Sequence, residues 1–360
     1  MAKFADVLTI VNGKNQKRVE NPNGQYPIYG SGGIIGYADD YICDGNTVVI
    51  GRKGSINTPI FVETPFWNVD TAFGLCANPI KLQPKYLYYF CEKFDFEQLN
   101  TTVTIPSLTK ANLLKIEIPL PPLDEQRKIA AVLDKVSDLI AKRRQQLDKL
   151  DELVKSRFIE LFGMCETYEL LQDSNIYISD GNYSSKYPTA DEFVEEGIPF
   201  IRASNMEMNT IVDSNMYFIT KEKHAILAKG HVKADDVLIT TRGATIGKIA
   251  CVPPRHEDSN INAQIVLLRC PKNEYNPLFL SWYLKLDNTQ AEIQKLISGS
   301  AQPQLPIKRL VQLNLLKPNI DLQNQFAAFS KQTDKLKLPI QKSLEKLGTL
   351  KKVLMQEYFE

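Results

Sequence analysis

The stretch PLPPLDEQRKIAAVLDKV, Pro119–Val136, decides how this chain is read. Pro121 and Pro122 halt whatever precedes them, Asp124 stands where a helix N-cap belongs, and helical periodicity begins. Leu133, Val136, Ile140, Leu147, Leu150, Val154 and Leu161 fall at alternating three- and four-residue steps, with Arg143 and Arg157 filling the gaps. This is a heptad seam, and Gly163 after "LF" supplies its stop. A helix over about 124–162 is a rod of about 58 Å at ~1.5 Å per residue. Pairs such as Asp138/Lys142 and Asp151/Lys155 support an exposed helix by a few tenths of a kcal/mol each, so the AKRR run reads as a solvated face. A lone helix of this length lacks stability of its own and needs a partner seam.

The partner is in the same chain. Laid over one another without a gap, residues 123–162 and 320–359 place Asp124 on Asp321, Gln126 on Gln323, Ala130 on Ala327, Leu147 on Leu344, Leu150 on Leu347 and Phe162 on Phe359. The register continues upstream, where Pro106, Leu108 and Leu113 match Pro303, Leu305 and Leu310. With loop insertions, NTVVIGRKGSIN parallels DDVLITTRGATIG, WNVDTAF parallels SNINAQI, and KYLYYF parallels LFLSWYL. This is an internal repeat: a globular domain followed by a long helix, twice over. Pro339 removes a backbone donor from the second helix, which predicts two segments, about 321–337 and 340–359.

Each globular half carries turn-rich, β-leaning segments, with strands expected at TVVIG and IFVET and a helix over PKYLYYFCEKFDFEQL. The second half repeats this order with longer loops such as SDGNYSSKYPTADEFVEEG. The fold class is therefore α+β: two mixed, mainly β domains in tandem repeat, at 1–118 and 163–317, separated by long helices at 119–162 and 318–360, the latter kinked near Pro339.

Composition bounds the rest. A chain of 360 residues suggests two or three domains. Its 43% hydrophobic and 24% charged residues suit a folded soluble protein, with no apolar run of the ~18 residues a membrane span needs. The N-terminus MAKFADVLTIVNGKNQ lacks the apolar core of a secretory signal, which implies a cytoplasmic address. Six cysteines are scattered without a C-x-x-C pair, against a zinc site or disulfide scaffold. The only imidazoles are His224, His231 and His256. A net charge of +1 means that any nucleic-acid binding rests on local placement of Lys and Arg.

Two local features are suited to chemistry. GRKGS, Gly51–Ser55, and TRGATIGK, Thr241–Lys248, follow short apolar strands and set cations beside glycines and free backbone N–H groups, a turn fit for phosphate contact or base-edge readout. Neither is a nucleotide-binding P-loop, and a plain surface turn fits both. QYPIYGSGGIIGY places Tyr26, Tyr29, Ser31 and Tyr37 on a Gly-rich run that could stack on or bond to bases, or could be β-turns with core tyrosines. The chain has no G-x-S-x-G elbow, no H-E-x-x-H helix, and no [DNS]-P-P-[YF] turn of amino-methyltransferases; PLPPL lacks that turn's polar and aromatic members.

The tract IPLPPLDEQRKIAAVLDKVSDLIAKRRQQLDKLDELVKSRFIELFG closely resembles the central conserved region of the specificity (S) subunit of type I restriction-modification enzymes, and RKGSI, TRGATIGK and YPIYGSGGIIGY resemble segments of its recognition domains. The resemblance covers nearly the whole chain. It implies target-recognition domains at 1–118 and 163–317, each reading half of a bipartite sequence in double-stranded DNA, held by two helices paired as an antiparallel coiled coil that fixes the spacer. It implies a prokaryotic, non-catalytic protein without cofactor of its own. Two modification subunits would carry S-adenosylmethionine and methyl transfer, and restriction subunits would add ATP- and magnesium-dependent translocation and cleavage. Carried onto this sequence, the DNA-contact candidates are Arg52, Lys53, Arg242 and Lys248, then Tyr26, Tyr29, Ser31, Asn68 and Asn260. The docking candidates are Gln126, Leu133, Val136, Ile140, Leu147, Leu150, Leu344 and Leu347. The competing reading is a coiled-coil protein–protein scaffold without DNA binding; an autonomous enzyme lacks its motifs.

Overall fold

Two sheets of one construction are built twice. The computed structural model describes residues 1–100, 107–183, 186–207, 209–299 and 302–360. The chain divides into two compact units, Met1–Gln146 with Ile340–Glu360, and Leu147–Pro339. Pro106 of the repeat match, and Ser184 and Ser185 of the long loop, lie outside the described residues.

In the first unit, strands Leu8–Asn12, Ala72–Ala77, Thr47–Gly51 and Ile60–Val62 form an antiparallel sheet in that order. Gly33–Ala38, Tyr26–Gly30 and Trp67–Asn68 form a second, whose last pair is parallel. In the second unit, Tyr177–Asp180, Ile265–Arg269, Val237–Thr240 and Ile249–Cys251 repeat the first sheet, and Tyr217–Ile219, Ile198–Ile201 and Asn260–Ile261 repeat the second. Thr47–Gly51 and Val237–Thr240 are buried at every position. That is why TVVIG and VLIT read as unbroken apolar runs and not as alternating strands.

Helix α1 (Pro84–Lys93) follows the first unit's sheets and α3 (Pro277–Lys285) follows the second's; each has proline at its first position and an amide side chain, Gln83 or Asn276, as N-cap. The two long helices are α2 (Leu123–Phe162) and α4 (Ile320–Phe359). Asp124 is not the N-cap of α2. The Pro122 carbonyl accepts from the N–H groups of Glu125 and Gln126, so the helix starts earlier and Asp124 lies in the first turn, where its charge favours the helix dipole.

Pro339 does not divide α4, which runs through it as one helix of 40 residues. The missing amide forfeits a helical hydrogen bond, but the preceding turn is pinned: Lys337 Nζ lies 2.7 Å from Asp151 and 3.1 Å from Asp334.

The long helices are not separate modules, as boundaries at 119–162 and 318–360 would make them; each belongs partly to each unit. In the first unit, Ile129, Ala130 and Leu133 of α2 share a buried core with Met355 and Phe359 of α4 and with Tyr86, Leu87 and Phe90 of α1. The Phe359 ring stands 5.0 Å from Tyr86 and 5.9 Å from Phe90. In the second unit, Phe158 and Phe162 of α2 and Phe326 of α4 gather on Phe279 of α3. There Phe158 meets Phe326 while Asp151 meets Lys337, so the two helices run antiparallel.

Candidate nucleic-acid interface

In each unit the ends of two strands, one from each sheet, meet at a short turn. In the first, strand Thr47–Gly51 runs into Arg52-Lys53-Gly54. The Arg52 N–H donates to Thr71 O at 2.8 Å and its carbonyl accepts from Leu108 N–H at 2.9 Å, while Lys53 is bridged to Ser107. In the second, strand Val237–Thr240 runs into Thr241-Arg242-Gly243. The Thr241 N–H donates to Gln264 O at 2.7 Å, its carbonyl accepts from Leu305 N–H at 2.8 Å, and Arg242 is bridged to Gln304. Thr241 therefore stands where the first unit has Arg52, and Arg242 where it has Lys53. Both Lys53 and Arg242 are exposed, and each precedes a glycine at positive φ, +81° at Gly54 and +85° at Gly243, which turns the chain directly after the cation.

The partner strand end closes on this turn. Strand Tyr26–Gly30 delivers Ser31, whose Cβ is 3.1 Å from where a Cβ on Gly51 would stand and whose Oγ is 3.9 Å from the same point on Gly54. The GRKGS and YGSGG motifs, apart in sequence, are thus in contact. In the second unit the matching strand, Ile198–Ile201, delivers Arg202 and Ala203. Lys248 Nζ donates to Ala203 O at 3.4 Å, and its backbone N–H bonds to Thr240 Oγ1. Lys248 is half-buried and ties the turn together, whereas Arg242 projects, its guanidinium 4.7 Å from the Tyr183 ring centroid. Arg52 is half-buried over Phe73 at 5.7 Å and reaches the Asp70 carbonyl.

The hydrogen-bond register corrects one part of the repeat. Ala72 N–H bonds to Val69 O and Ile265 N–H to Asn262 O, so Val69 matches Asn262, and WNVDTAF pairs with NINAQIV, one residue on from SNINAQI. On this register Asn68 stands at Ile261, Asn260 at Trp67, and Gly30 at Arg202. Neither asparagine can read a base, because both side chains are fully buried. Asn68 Oδ1 accepts from Cys43 Sγ at 3.3 Å and its Nδ2 donates to Ala72 O at 3.2 Å. Asn260 Oδ1 is bonded to His224 Nδ1. Tyr29 packs edge-on against Phe66 at 5.3 Å, and burial, with Tyr37 nearby, pushes its phenol up. Tyr26 leans on Tyr41 at 4.9 Å. What the first unit's hairpin exposes is Ile34, Ile35 and Tyr37.

Arg202 is the residue that sequence reasoning missed. Its guanidinium stacks 3.4 Å from the Tyr217 ring centroid and donates to Asn215 O at 2.7 Å. Tyr183 and Tyr187 belong to the same patch. Burial pushes both phenols up, opposed by Arg242 at Tyr183 and by Arg202 at Tyr187. Because its counterpart is Gly30, no repeat comparison marks Arg202; the RAS tripeptide at a strand end was the only signal. A projecting arginine with an aromatic face beside it can bond phosphates or guanine edges while the ring stacks on bases, and a projecting lysine can bond phosphates or guanine edges. Among the described residues no cluster of His, Cys, Asp and Glu could hold a metal ion, and no helix is long and apolar enough to cross a membrane.

The docking candidates divide. Gln126, Leu133 and Val136 are buried inside this chain, so their side chains are not available to a partner; Ile140, Leu147, Leu150, Leu344 and Leu347 are half-buried.

Comparison with known proteins gives this geometry a context. A family model described as the type I restriction modification DNA specificity domain matches residues 1–152 and 179–347. The type I restriction enzyme MjaVIII specificity subunit of Methanocaldococcus jannaschii is 24% identical over 307 residues, covering 78% of this chain and 72% of that protein. The type I restriction enzyme EcoBI specificity subunit of Escherichia coli is 21% identical over 349 residues, covering 87% and 72%. The crystal structure of a type I restriction-modification S subunit from M. genitalium shares the fold, with a TM-score of 0.64 at 18% identity over 100% of this chain and 95% of that one. With the family model spanning both repeats, this chain belongs to the type I restriction-modification DNA specificity family.

Proposed function

We propose that the chain is the DNA-reading subunit of a type I restriction-modification complex in which each unit reads one half of a bipartite target. The observation that carries this is the duplicated turn: Lys53-Gly54 and Arg242-Gly243 occupy equivalent places, each exposed beside the end of a strand from the second sheet. Arg242, with Arg202 and Tyr183 beside it, is the principal base or phosphate contact of the second unit; Lys53, Arg52 and Ser31 serve the first. The long helices set the unread spacer and dock two modification subunits. Since Gln126, Leu133 and Val136 are spent inside the chain, docking uses side chains the helices leave exposed, Leu139 and Leu153 among them. Methyl transfer from S-adenosylmethionine, and ATP- and magnesium-dependent cleavage, belong to the partner subunits of a complex in a prokaryotic cytoplasm. Reconstitution with the cognate modification subunits, followed by sequencing of methylated DNA, tests this reading: a two-part motif with a fixed gap is expected. Methylation by the purified chain alone, or a complex without sequence preference, would overturn it.

A further inference from the structure

The first unit holds two thiols for which DNA reading has no use. Cys76 lies on strand Ala72–Ala77, on the same face as Gly74 two positions before it. Cys43 lies on a neighbouring segment bridged to Phe66, and its sulfur stands 2.6 Å from where a Cβ on Gly74 would be. The Thr47 methyl is 3.4 Å from that same point, and Thr47 Oγ1 shares a hydrogen bond of 3.4 Å with Cys76 Sγ. Gly74 is therefore the gap that admits the Cys43 sulfur onto the strand face that carries Cys76. Any side chain at Gly74 would displace it.

The two sulfurs differ in character. Cys43 is buried, and Cys76 alone reaches solvent. The neighbouring Cys43 thiol pulls the Cys76 thiol down, with help from Thr47 against the effect of burial, while Cys76 and burial push Cys43 up. Burial pushes Cys91 and Cys270 up, and Cys251 up to about 11. A reachable, readily ionised sulfur beside a protonated one is the arrangement of an attacking thiolate with its resolving thiol.

We propose that Cys76 and Cys43 form a peroxide-reactive dithiol that closes to an intramolecular disulfide. The Cys76 sulfur attacks one oxygen of hydrogen peroxide, the O–O bond breaks, and the departing oxygen leaves as water, giving a sulfenic acid. Cys43 then attacks the Cys76 sulfur, the S–O bond breaks, and a second water leaves with the Cys43 proton. Two thiols are oxidised to one disulfide and one peroxide is reduced to two waters, so no other reactant is needed.

The test exposes the full chain to limiting hydrogen peroxide at neutral pH, alkylates the remaining thiols, and maps peptides without reduction. A peptide pair joined through Cys43 and Cys76 is expected, two hydrogen atoms lighter than its parts and released by dithiothreitol. It should form at least about tenfold faster than oxidation at Cys91, Cys251 or Cys270. In Cys43→Ser the linkage should be replaced by a Cys76 sulfenic acid that dimedone traps. Oxidation of Cys76 in the unaltered chain without linkage to Cys43 would overturn the proposal. So would full alkylation of both thiols at peroxide levels that oxidise free cysteine.

Discussion

Gln126 and Gln323 make the same three hydrogen bonds in their respective units. Gln126 Oε1 accepts from Gln83 N–H at 2.9 Å while its Nε2 donates to Lys81 O and Pro121 O at 3.0 and 2.8 Å. Gln323 Oε1 accepts from Asn276 N–H at 2.9 Å while its Nε2 donates to Glu274 O and Pro318 O at 3.0 and 2.9 Å. Each side chain is fully buried and fastens the start of a long helix to the loop before a domain helix. Alanine at either position leaves a buried N–H and two carbonyls without their partner, at a cost of about 2–4 kcal/mol. Urea melts of Gln126→Ala and Gln323→Ala should show losses of similar size, and a loss below about 0.5 kcal/mol would mean that water replaces the amide.

The projecting cations predict an asymmetry between variants. Arg242→Ala in the assembled complex should weaken specific DNA binding by about 1–3 kcal/mol and relax preference at only one half of the target. Lys53→Ala should act on the other half. Plotting log affinity against log salt separates the contact types, because loss of a phosphate contact lowers the slope by about one while loss of a base contact leaves it nearly unchanged.

The second unit should weaken in mild acid through His256. This imidazole is buried, with Nε2 at 2.8 Å from an Asp213 oxygen. Burial holds its pKa below the ordinary 6.5, Asp213 opposing and Arg255 adding to the effect. The unfolded chain therefore binds this proton more readily than the folded one. The contribution of the neutral ring is intact above about 6.5 and is lost as pH falls through the lowered folded value. Thermal melts between pH 7.5 and 5 should show a drop that His256→Gln reduces; an unchanged drop would assign it to other groups.

Pro339→Ala should stabilise the protein. Proline inside a helix costs about 3 kcal/mol, partly offset because it restricts the unfolded chain by about 0.4–1 kcal/mol. Since α4 is already continuous there, alanine restores the missing amide without demanding a new backbone path. A gain of about 1–2 kcal/mol in denaturant melts is the expected outcome, and a loss would show that the helix is bent around the ring in a way alanine cannot follow.

The repeat, the long helices and the strands at TVVIG and VLIT were legible because each rests on periodicity or on a coincidence of side chains. Asp124 was misplaced because a backbone carbonyl, that of Pro122, caps the helix, and carbonyls leave no mark in the residue code. Gln126 and Gln323 stood out as matching pair members, but a polar residue at a helix start reads as exposed, and only the fold shows it turned inward. The match of WNVDTAF to SNINAQI slipped by one because asparagine identity outweighed a register that only hydrogen bonds define. Arg202 stayed hidden because Gly30 takes its place in the first copy, so no coincidence between the repeats marks it.

Residues 340–360, which carry Met355 and Phe359 into the first unit's core, leave the ribosome after all of 1–339. Until they emerge, the aromatic slot at Tyr86 and Phe90 stands open in a nascent chain whose opening domain is already long translated. Completion of that domain therefore waits on residues 340–360, and a message interrupted before them yields a polypeptide with a sticky, unfilled seat.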